Sequence, residues 1–304
     1  MSDNSIIRTS GLDYCYSKSV KTIKDIDLNV ERGNIYGFLG PNGSGKTTTL
    51  RLLLGLLEIQ KGTIEIFGRS FNSDRTGILK RIGSLIETPS LYGHLNAREN
   101  LEVYRAIYGA PKSRIAEVLR IAGLEDTGRK AVRSFSLGMK QRLSIALALL
   151  PNPELLILDE PSNGLDPGGI IELRAMIRKL NREKGMTILM SSHILSEVEK
   201  MVSHVGIIFK GEMLFQGSLA QLNAFQKKQS TLMVHTSDNE AAMNILQEYQ
   251  PERLDEAFCL SYDGIQQVAD ISRRLHRHDL DVYLLHPQES DLEQLFIDLT
   301  HNHV

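Results

Sequence analysis

An α/β fold, with a central parallel sheet and antiparallel β and helical subdomains, followed by a small α+β domain, is what this sequence predicts. Three observations predict it. A glycine-rich run, Gly40–Thr48, stands between an apolar segment and a leucine-spaced one. An unbroken apolar run, Leu155–Leu158, ends in two carboxylates. After Ser230, short strand and helix patterns alternate to the end of the chain.

Taken in order, residues 6–39 read as an antiparallel β region. Ile6–Ile7 and Leu12–Tyr16 come first, then Ile26–Val30 in strict alternation, then a turn at Glu31-Arg32-Gly33. Ile35–Leu39 reads as a short buried strand. Next come Gly40, Pro41, Asn42, Gly43, Ser44, Gly45, Lys46, Thr47 and Thr48, which fit G-x-x-x-x-G-K-[ST]. Leucines at helical spacing from Thr47 to Leu57 complete the strand–loop–helix context this motif requires. Glycines let the backbone curl so that successive N–H groups face phosphate oxygens, and the helix start adds unpaired donors and partial positive charge. Lys46 is expected to reach the β- and γ-phosphates, and the Thr47 hydroxyl to complete a Mg²⁺ shell. The chain is therefore expected to bind a nucleoside triphosphate. Tyr14 and Tyr16 both stand where one ring could stack on the base. Plain packing is the alternative for either, and Tyr16 is the preferred candidate.

Thr63–Phe67 and Ile82–Ile86 read as strands, and proline marks Glu87–Tyr92 as a loop. Asn96 with Glu99 three residues on reads as a capping box opening a helix over Ala97–Tyr108. Helices over Lys112–Ala122 and Ser136–Leu150 follow, making a helical subdomain of about residues 88–150. Leu155–Leu158, without alternation, suits a central strand buried on both faces. The two acids at its end lie where open α/β sheets place their ligands. Asp159 is read as holding Mg²⁺ and Glu160 as the base that takes a proton from the attacking water. Thr187–Ser191 is a further strand, and His193 after it falls on the same sheet edge, within reach of a γ-phosphate.

With 304 residues, about two domains are expected. A net charge of −2 supplies no basic footprint for nucleic acid. Cys15 and Cys259 have no metal-type spacing and suit a reducing compartment. The longest apolar run, Leu143–Leu150, is too short to cross a bilayer, and no signal-peptide pattern is present. The expectation is a cytoplasmic chain whose membrane role comes through a partner.

Beyond Gly217, Ser218–Lys228 reads as a linking helix with Ser218 and Gln221 as a capping box. The tail then predicts strands at Leu232–His235, Phe258–Tyr262 and Val282–Leu285, and helices at Asn239–Tyr249, Ile265–His278 and Leu292–Leu299. With a short strand at Arg253-Leu254, the order is βαββαβ plus a closing helix, as in ferredoxin-like domains. The expected boundaries are 1–217, 218–230 and 231–304. Arg273, Arg274, His276, Arg277 and His278 form a basic helix end, read as a solvated face that complements the dipole, with a lipid or regulatory contact as the alternative.

Over residues 5–217 the chain resembles the ATP-binding subunits of ABC transporters, a P-loop NTPase family. Gly40–Thr48 matches Walker A, and Leu155–Glu160 matches Walker B with its glutamate. Ser162–Asp166 matches the D-loop, and His193 the switch histidine. Phe135-Ser136-Leu137-Gly138-Met139 lies where the family signature is expected. The resemblance implies ATP and Mg²⁺ as ligands. It also implies a head-to-tail dimer with a second ATPase subunit, in which Ser136, Gly138 and Asp166 of one chain complete the other chain's site. Integral membrane permease subunits are the further implied partner, placing the chain on the inner face of the membrane.

Three departures stand out. Glu87 replaces the usual glutamine, an acceptor-only side chain expected to work through Mg²⁺ or its water and to relay nucleotide state to the permease. Leu137 replaces the first signature glycine, and Met139 the glutamine. Together with the Ser-Leu-Gly-Met-Lys-Gln-Arg run, Glu87 resembles the self-protection branch that exports bacitracin and lantibiotics. The competing expectations are an importer ATPase with a regulatory tail, which would be expected to keep glutamine at position 87, and a soluble ABC ATPase acting on ribosomes or DNA, for which this chain lacks a basic surface.

Overall fold

A computed structural model of the chain describes residues 4–17, 21–86, 91–227, 231–262 and 264–288. Its elements fall into two units, Met1–Gly217 and Ser218–Val304. In the first, a six-stranded sheet runs in the order Glu212–Ser218, His204–Phe209, Ile35–Leu39, Thr187–Ser192, Leu155–Leu158, Ile82–Leu85. Every pairing from His204–Phe209 onward is parallel. Ile35–Leu39, Leu155–Leu158 and Thr187–Ser192 are buried throughout, as strands covered on both faces must be. Because these three run the same way, the residues that follow each of them open on one edge of the sheet.

A second, antiparallel sheet is built on Ser5–Tyr14, which pairs with Ile23–Ile26, Asn29–Glu31 and Lys61–Ile66. Its apolar side chains share a core with Leu50, Leu52 and Leu53 of the helix Lys46–Leu53 and with Phe38, Ile157 and Leu189 of the central sheet. The single strand expected over Ile26–Val30 is in fact two. Buried Thr9 divides it: its hydroxyl donates to the Ile26 carbonyl (2.7 Å) and accepts from the Leu28 amide (2.8 Å). A side chain thus takes bonds that a continuous ladder would have used, a competition open to threonine.

Asp13, near the end of Ser5–Tyr14, is only 7% exposed. Its carboxylate accepts from Lys21 Nζ (2.9 Å), the Asp25 amide (2.8 Å) and Lys61 Nζ (3.1 Å). The bond from Lys21, then those from the Asp25 amide and Lys61, hold its pKa well below the ordinary 3.8. A depressed carboxylate pKa adds stability that is present above the unfolded value and fades as pH falls through the folded one. Asp13→Asn should therefore lower the melting temperature at pH 7, with the gap to wild type closing below about pH 4. Melting curves from pH 7 to pH 2 check this; a gap that does not shrink in acid would contradict it.

Helices Ala97–Tyr108, Ser113–Ala122 and Leu137–Leu149 pack on one another as the helical part of this unit. The first opens with the expected capping box: Glu99 N donates to Asn96 Oδ1 (2.9 Å) and Asn96 N to Glu99 Oε2 (2.8 Å). Residues 143–149 of the third are all buried, because it packs on both other helices, on Ile82–Leu85 and on the helix Pro167–Lys184. The helix Pro167–Lys184, absent from the sequence reading, starts at Asp166 as N-cap with Pro167 in its first turn and stops at left-handed Gly185.

In the second unit, Ser218 and Gln221 cap the helix Leu219–Lys227 reciprocally (2.8 and 3.1 Å). A four-stranded sheet follows in the order Glu252–Leu254, Ala257–Ser261, Thr231–Thr236, Val282–Gln288, with all neighbours antiparallel. Helices Asn239–Ile245 and Ile265–Arg277 join its strands, and Leu232, Val234, Phe258, Leu260, Ile271 and Leu275 lie in its core. The first helix is shorter than expected. It ends at Ile245, and a 3₁₀ turn, Gln247–Tyr249, takes its place. The helix expected at Leu292–Leu299 lies outside the described residues.

Candidate active site

Strand Ile35–Leu39 delivers Gly40 to the sheet edge, where its amide donates to the Ser192 carbonyl (3.2 Å). A β-carbon at Gly40 would stand 2.4 Å from both the Ile208 carbonyl and Ser44 Oγ, so only glycine permits this approach. Gly45 has φ +113, a conformation side chains rarely adopt, and it leads directly into the helix Lys46–Leu53. That helix has no side-chain cap and no acid in its first turn. Its first amides are left to an anion, and the dipole there favours negative charge. Ser44 Oγ is buried with no hydrogen-bond partner, an orphan hydroxyl that a phosphate oxygen would satisfy.

Lys46 is 4% exposed. Its ammonium donates to the Gly40 carbonyl (2.7 Å) and the Pro41 carbonyl (3.2 Å), and it pairs with Glu160 Oε1 at 3.2 Å. Glu160 Oε2 lies 2.7 Å from His193 Nδ1. Facing a carboxylate, that ring nitrogen is the one that carries the proton. Both oxygens of Glu160 are therefore engaged, one by the phosphate-loop lysine and one by the histidine. Glu160 also has φ +45, an uncommon conformation for a residue with a side chain and a cost of order 1–3 kcal/mol.

Asp159 follows the strand Leu155–Leu158. Its Oδ2 accepts from Thr47 Oγ1 (2.8 Å) and its Oδ1 from Ser191 Oγ (2.5 Å). Ser191 Oγ in turn accepts from the Glu160 amide (2.8 Å). Thr47 and Asp159 form an oxygen-only donor pair of the hardness Mg²⁺ prefers. Among the described residues there is no cluster of three or more His, Cys, Asp or Glu that could hold a metal. Mg²⁺ fits a site with so few protein ligands, because it keeps several waters and takes further oxygens from phosphate.

Lys46, Thr47, Asp159, Glu160 and His193 thus meet, drawn from three strand ends. Tyr16 joins them through Thr48: its hydroxyl is 3.4 Å from Thr48 Oγ1 and also accepts from Arg51 (3.4 Å). Its ring is 57% exposed, whereas Tyr14 is buried and meets Tyr16 edge-on at 5.0 Å. Pro41, Asn42 and Gly43 form the outer, more open part of the loop. Glu87 lies outside the described residues.

Ser136, Gly138 and Asp166 lie apart from that group, at the starts of two helices. Ser136 caps the helix Leu137–Leu149 by accepting from the Met139 amide (3.2 Å), a bond that does not use its own hydroxyl proton. Asp166 accepts from Gly169 N (3.1 Å). A β-carbon on Gly138 would lie 3.6 Å from Gly169 Cα, and one on Gly164 would lie 3.2 Å from Leu137 Cδ2, so the two helix starts pack together. Leu137 itself is 48% exposed. The residue that sequence reasoning missed is Ser191. Its only signal was membership of the Ser-Ser-His run, and no spacing rule picks a strand serine out as a hydroxyl aimed at an acid.

A phosphate loop, paired carboxylates and a histidine on one parallel-sheet edge define a nucleoside-triphosphate hydrolase, and the chain belongs to the ABC transporter family as an ATP-hydrolysing subunit. The family profile, described as ABC transporter, matches residues 23–163. The chain is 44% identical over 301 residues to the bacitracin transport ATP-binding protein BcrA of Bacillus licheniformis, covering 97% of each. It is 42% identical to the lantibiotic transport ATP-binding protein SrtF of Streptococcus pyogenes, over 69% of this chain and 90% of that one. Among solved structures, the cassette MJ0796 in a dimeric post-hydrolysis state bound to ADP and Pi aligns with TM-score 0.62 and 25% identity. That alignment covers 70% of this chain and 98% of that one. CbiO1 from Clostridium perfringens, part of a cbiONQ transporter complex, aligns with TM-score 0.65 and 27% identity, over 73% and 91%.

Proposed function

We propose that the chain hydrolyses ATP as one half of a head-to-tail dimer and drives export of an antimicrobial peptide through separate membrane subunits. The observation that carries the catalytic part is the contact chain Thr47–Asp159 and Lys46–Glu160–His193. Phosphate entering the loop competes with Glu160 for the Lys46 ammonium. Binding of the triphosphate therefore releases the carboxylate, which His193 still holds by its other oxygen. A Glu160 so released accepts the proton of an attacking water, while Lys46 and the loop amides take up charge on the phosphates. Thr47 and Asp159 would hold Mg²⁺, which when bound offsets phosphate charge. Tyr16 is the base-stacking residue in this reading, because Tyr14 is committed to the core.

Ser136, with its hydroxyl proton available, and the neighbouring amides at the start of Leu137–Leu149 supply donors for a partner's γ-phosphate. Asp166 is carried on the helix that packs against this one. That the MJ0796 cassette is dimeric in a post-hydrolysis state with ADP and Pi supports a dimer here, and in this reading release of the bridging phosphate after hydrolysis would let the halves part. Among the described residues no helix is long and apolar enough to cross a membrane, so passage of cargo is assigned to permease subunits. Placement on the inner membrane face follows from that partner. The peptide cargo rests on likeness to the bacitracin and lantibiotic transport proteins, and Glu87 is retained as the residue that couples nucleotide state to the permease. In the second unit, the strand order and the two joining helices support the ferredoxin-like reading.

The test is deletion of the gene followed by challenge with a panel of peptide antibiotics, bacitracin first. Tolerance should fall severalfold and return with the wild-type gene, but not with one encoding Glu160→Gln. Unchanged tolerance across the panel, together with copurification of the chain with ribosomes and not with membrane subunits, would overturn the reading.

A further inference from the structure

Glu160 is held at both ends from the close of the strand Thr187–Ser192, by Ser191 on it and His193 just past it. His193 Nδ1 meets its side chain at 2.7 Å, and Ser191 Oγ receives its backbone amide at 2.8 Å. The sheet register pairs Leu158 with Met190, so Asp159 and Ser191 are the first residues past that pair on adjacent strands. Ser191 is fully buried, and its hydroxyl has one proton to give. That proton goes to Asp159 Oδ1 at 2.5 Å, so the bond from the Glu160 amide must be one the oxygen accepts.

We propose that Ser191 is a positioning residue that orients both acids of the site: it holds the Asp159 carboxylate in one rotamer and anchors the strained Glu160 peptide to the neighbouring strand. The inference rests on the reading of Asp159 as metal-holding and Glu160 as base.

With Oδ1 committed to Ser191, Oδ2 is turned to Thr47 Oγ1 at 2.8 Å. Thr47 donates its proton there and keeps its lone pairs for a cation. The carboxylate's orientation is therefore set from the side away from the phosphate loop. Glu160, at φ +45, has a more comfortable backbone conformation to fall into once its amide loses Ser191. Hydrogen bonds in series polarise one another, so drawing charge from Asp159 strengthens the hold on the Glu160 amide. Among the site's hydroxyls, Ser191 thus links the metal-holding residue to the base without touching substrate.

The test is Ser191→Ala, a change that removes the hydroxyl from a strand core and leaves little space behind. Mn²⁺ binding to the ATP-loaded protein is followed by electron paramagnetic resonance in a Glu160→Gln background, which removes turnover from the measurement. The Mn²⁺ dissociation constant should rise about tenfold, the worth of one hydrogen bond to a charged group. In the Glu160 background kcat should fall about tenfold with KM for ATP within about twofold. A folded Ser191→Ala protein with wild-type Mn²⁺ affinity overturns the proposal, whatever its kcat. Ser191→Cys, a weaker donor of nearly the same shape, should weaken Mn²⁺ severalfold, and it decides the matter if the alanine variant does not fold. Asp159→Asn in the same titration separates the two levels. If it leaves Mn²⁺ affinity unchanged, the reading of Asp159 fails and Ser191's role with it. If it weakens Mn²⁺ while Ser191→Ala does not, the role of Ser191 alone falls.

Discussion

Glu160→Gln is expected to lower kcat by at least about a hundredfold while ATP binds more tightly, leaving the dimer trapped with nucleotide. Glutamine keeps the size of the side chain and can still meet His193. It cannot take a proton from water, which removes the chemical step. It also carries no charge with which to hold Lys46, now paired with Glu160 Oε1 at 3.2 Å. A phosphate entering the loop then meets a lysine with one competitor fewer. Loss of turnover and gain of affinity therefore have one cause, the removal of one negative charge. Steady-state ATPase rates, nucleotide binding and size-exclusion chromatography with ATP measure the three effects. A variant that turns over at the wild-type rate would remove Glu160 as the base.

Lys46→Ala should weaken ATP binding by at least about a hundredfold and abolish measurable hydrolysis. Lys46 is buried beneath the loop, and its ammonium bridges the Gly40 and Pro41 carbonyls. Alanine leaves those carbonyls without their donor, Glu160 without its counter-charge, and the phosphates without their nearest cation. The damage is thus to the shape of the loop as well as to its charge. Fluorescent-nucleotide titration separates this variant from Glu160→Gln, since one should lose affinity and the other gain it. Normal ATP consumption by purified Lys46→Ala would bring down the assignment of the loop itself.

Much of this site could be read from the chain because its parts are short and local. Gly40, Gly45, Lys46 and Thr47 follow a fixed spacing because one strand, one turn and one helix start must deliver them together. Leu155–Leu158 announced a doubly covered strand by its lack of polar residues, and the acids followed from its end. The Asn96–Glu99 box set the start of its helix, because both of its bonds lie within one turn. The long helix Pro167–Lys184 is not legible in the same way, because its opening, Asp166-Pro167-Gly168-Gly169, reads first as a loop. The division at Thr9 could not be seen either, since it depends on a side chain reaching residues nineteen positions away in sequence.

What the sequence by itself determined is the family of chemistry: a phosphate loop, two acids and a histidine, in an order only a parallel sheet can bring to one edge. Which atoms touch was decided by the tertiary structure. Pairing of Leu158 with Met190 puts Ser191 between the two acids, and burial of Tyr14 leaves Tyr16 as the exposed ring. The enclosed loop places Lys46 on Glu160. The reason is range. Backbone periodicity and turn chemistry act over a few residues and leave their mark in local composition, whereas contacts between separate strands depend on register and burial, which no short stretch of chain records.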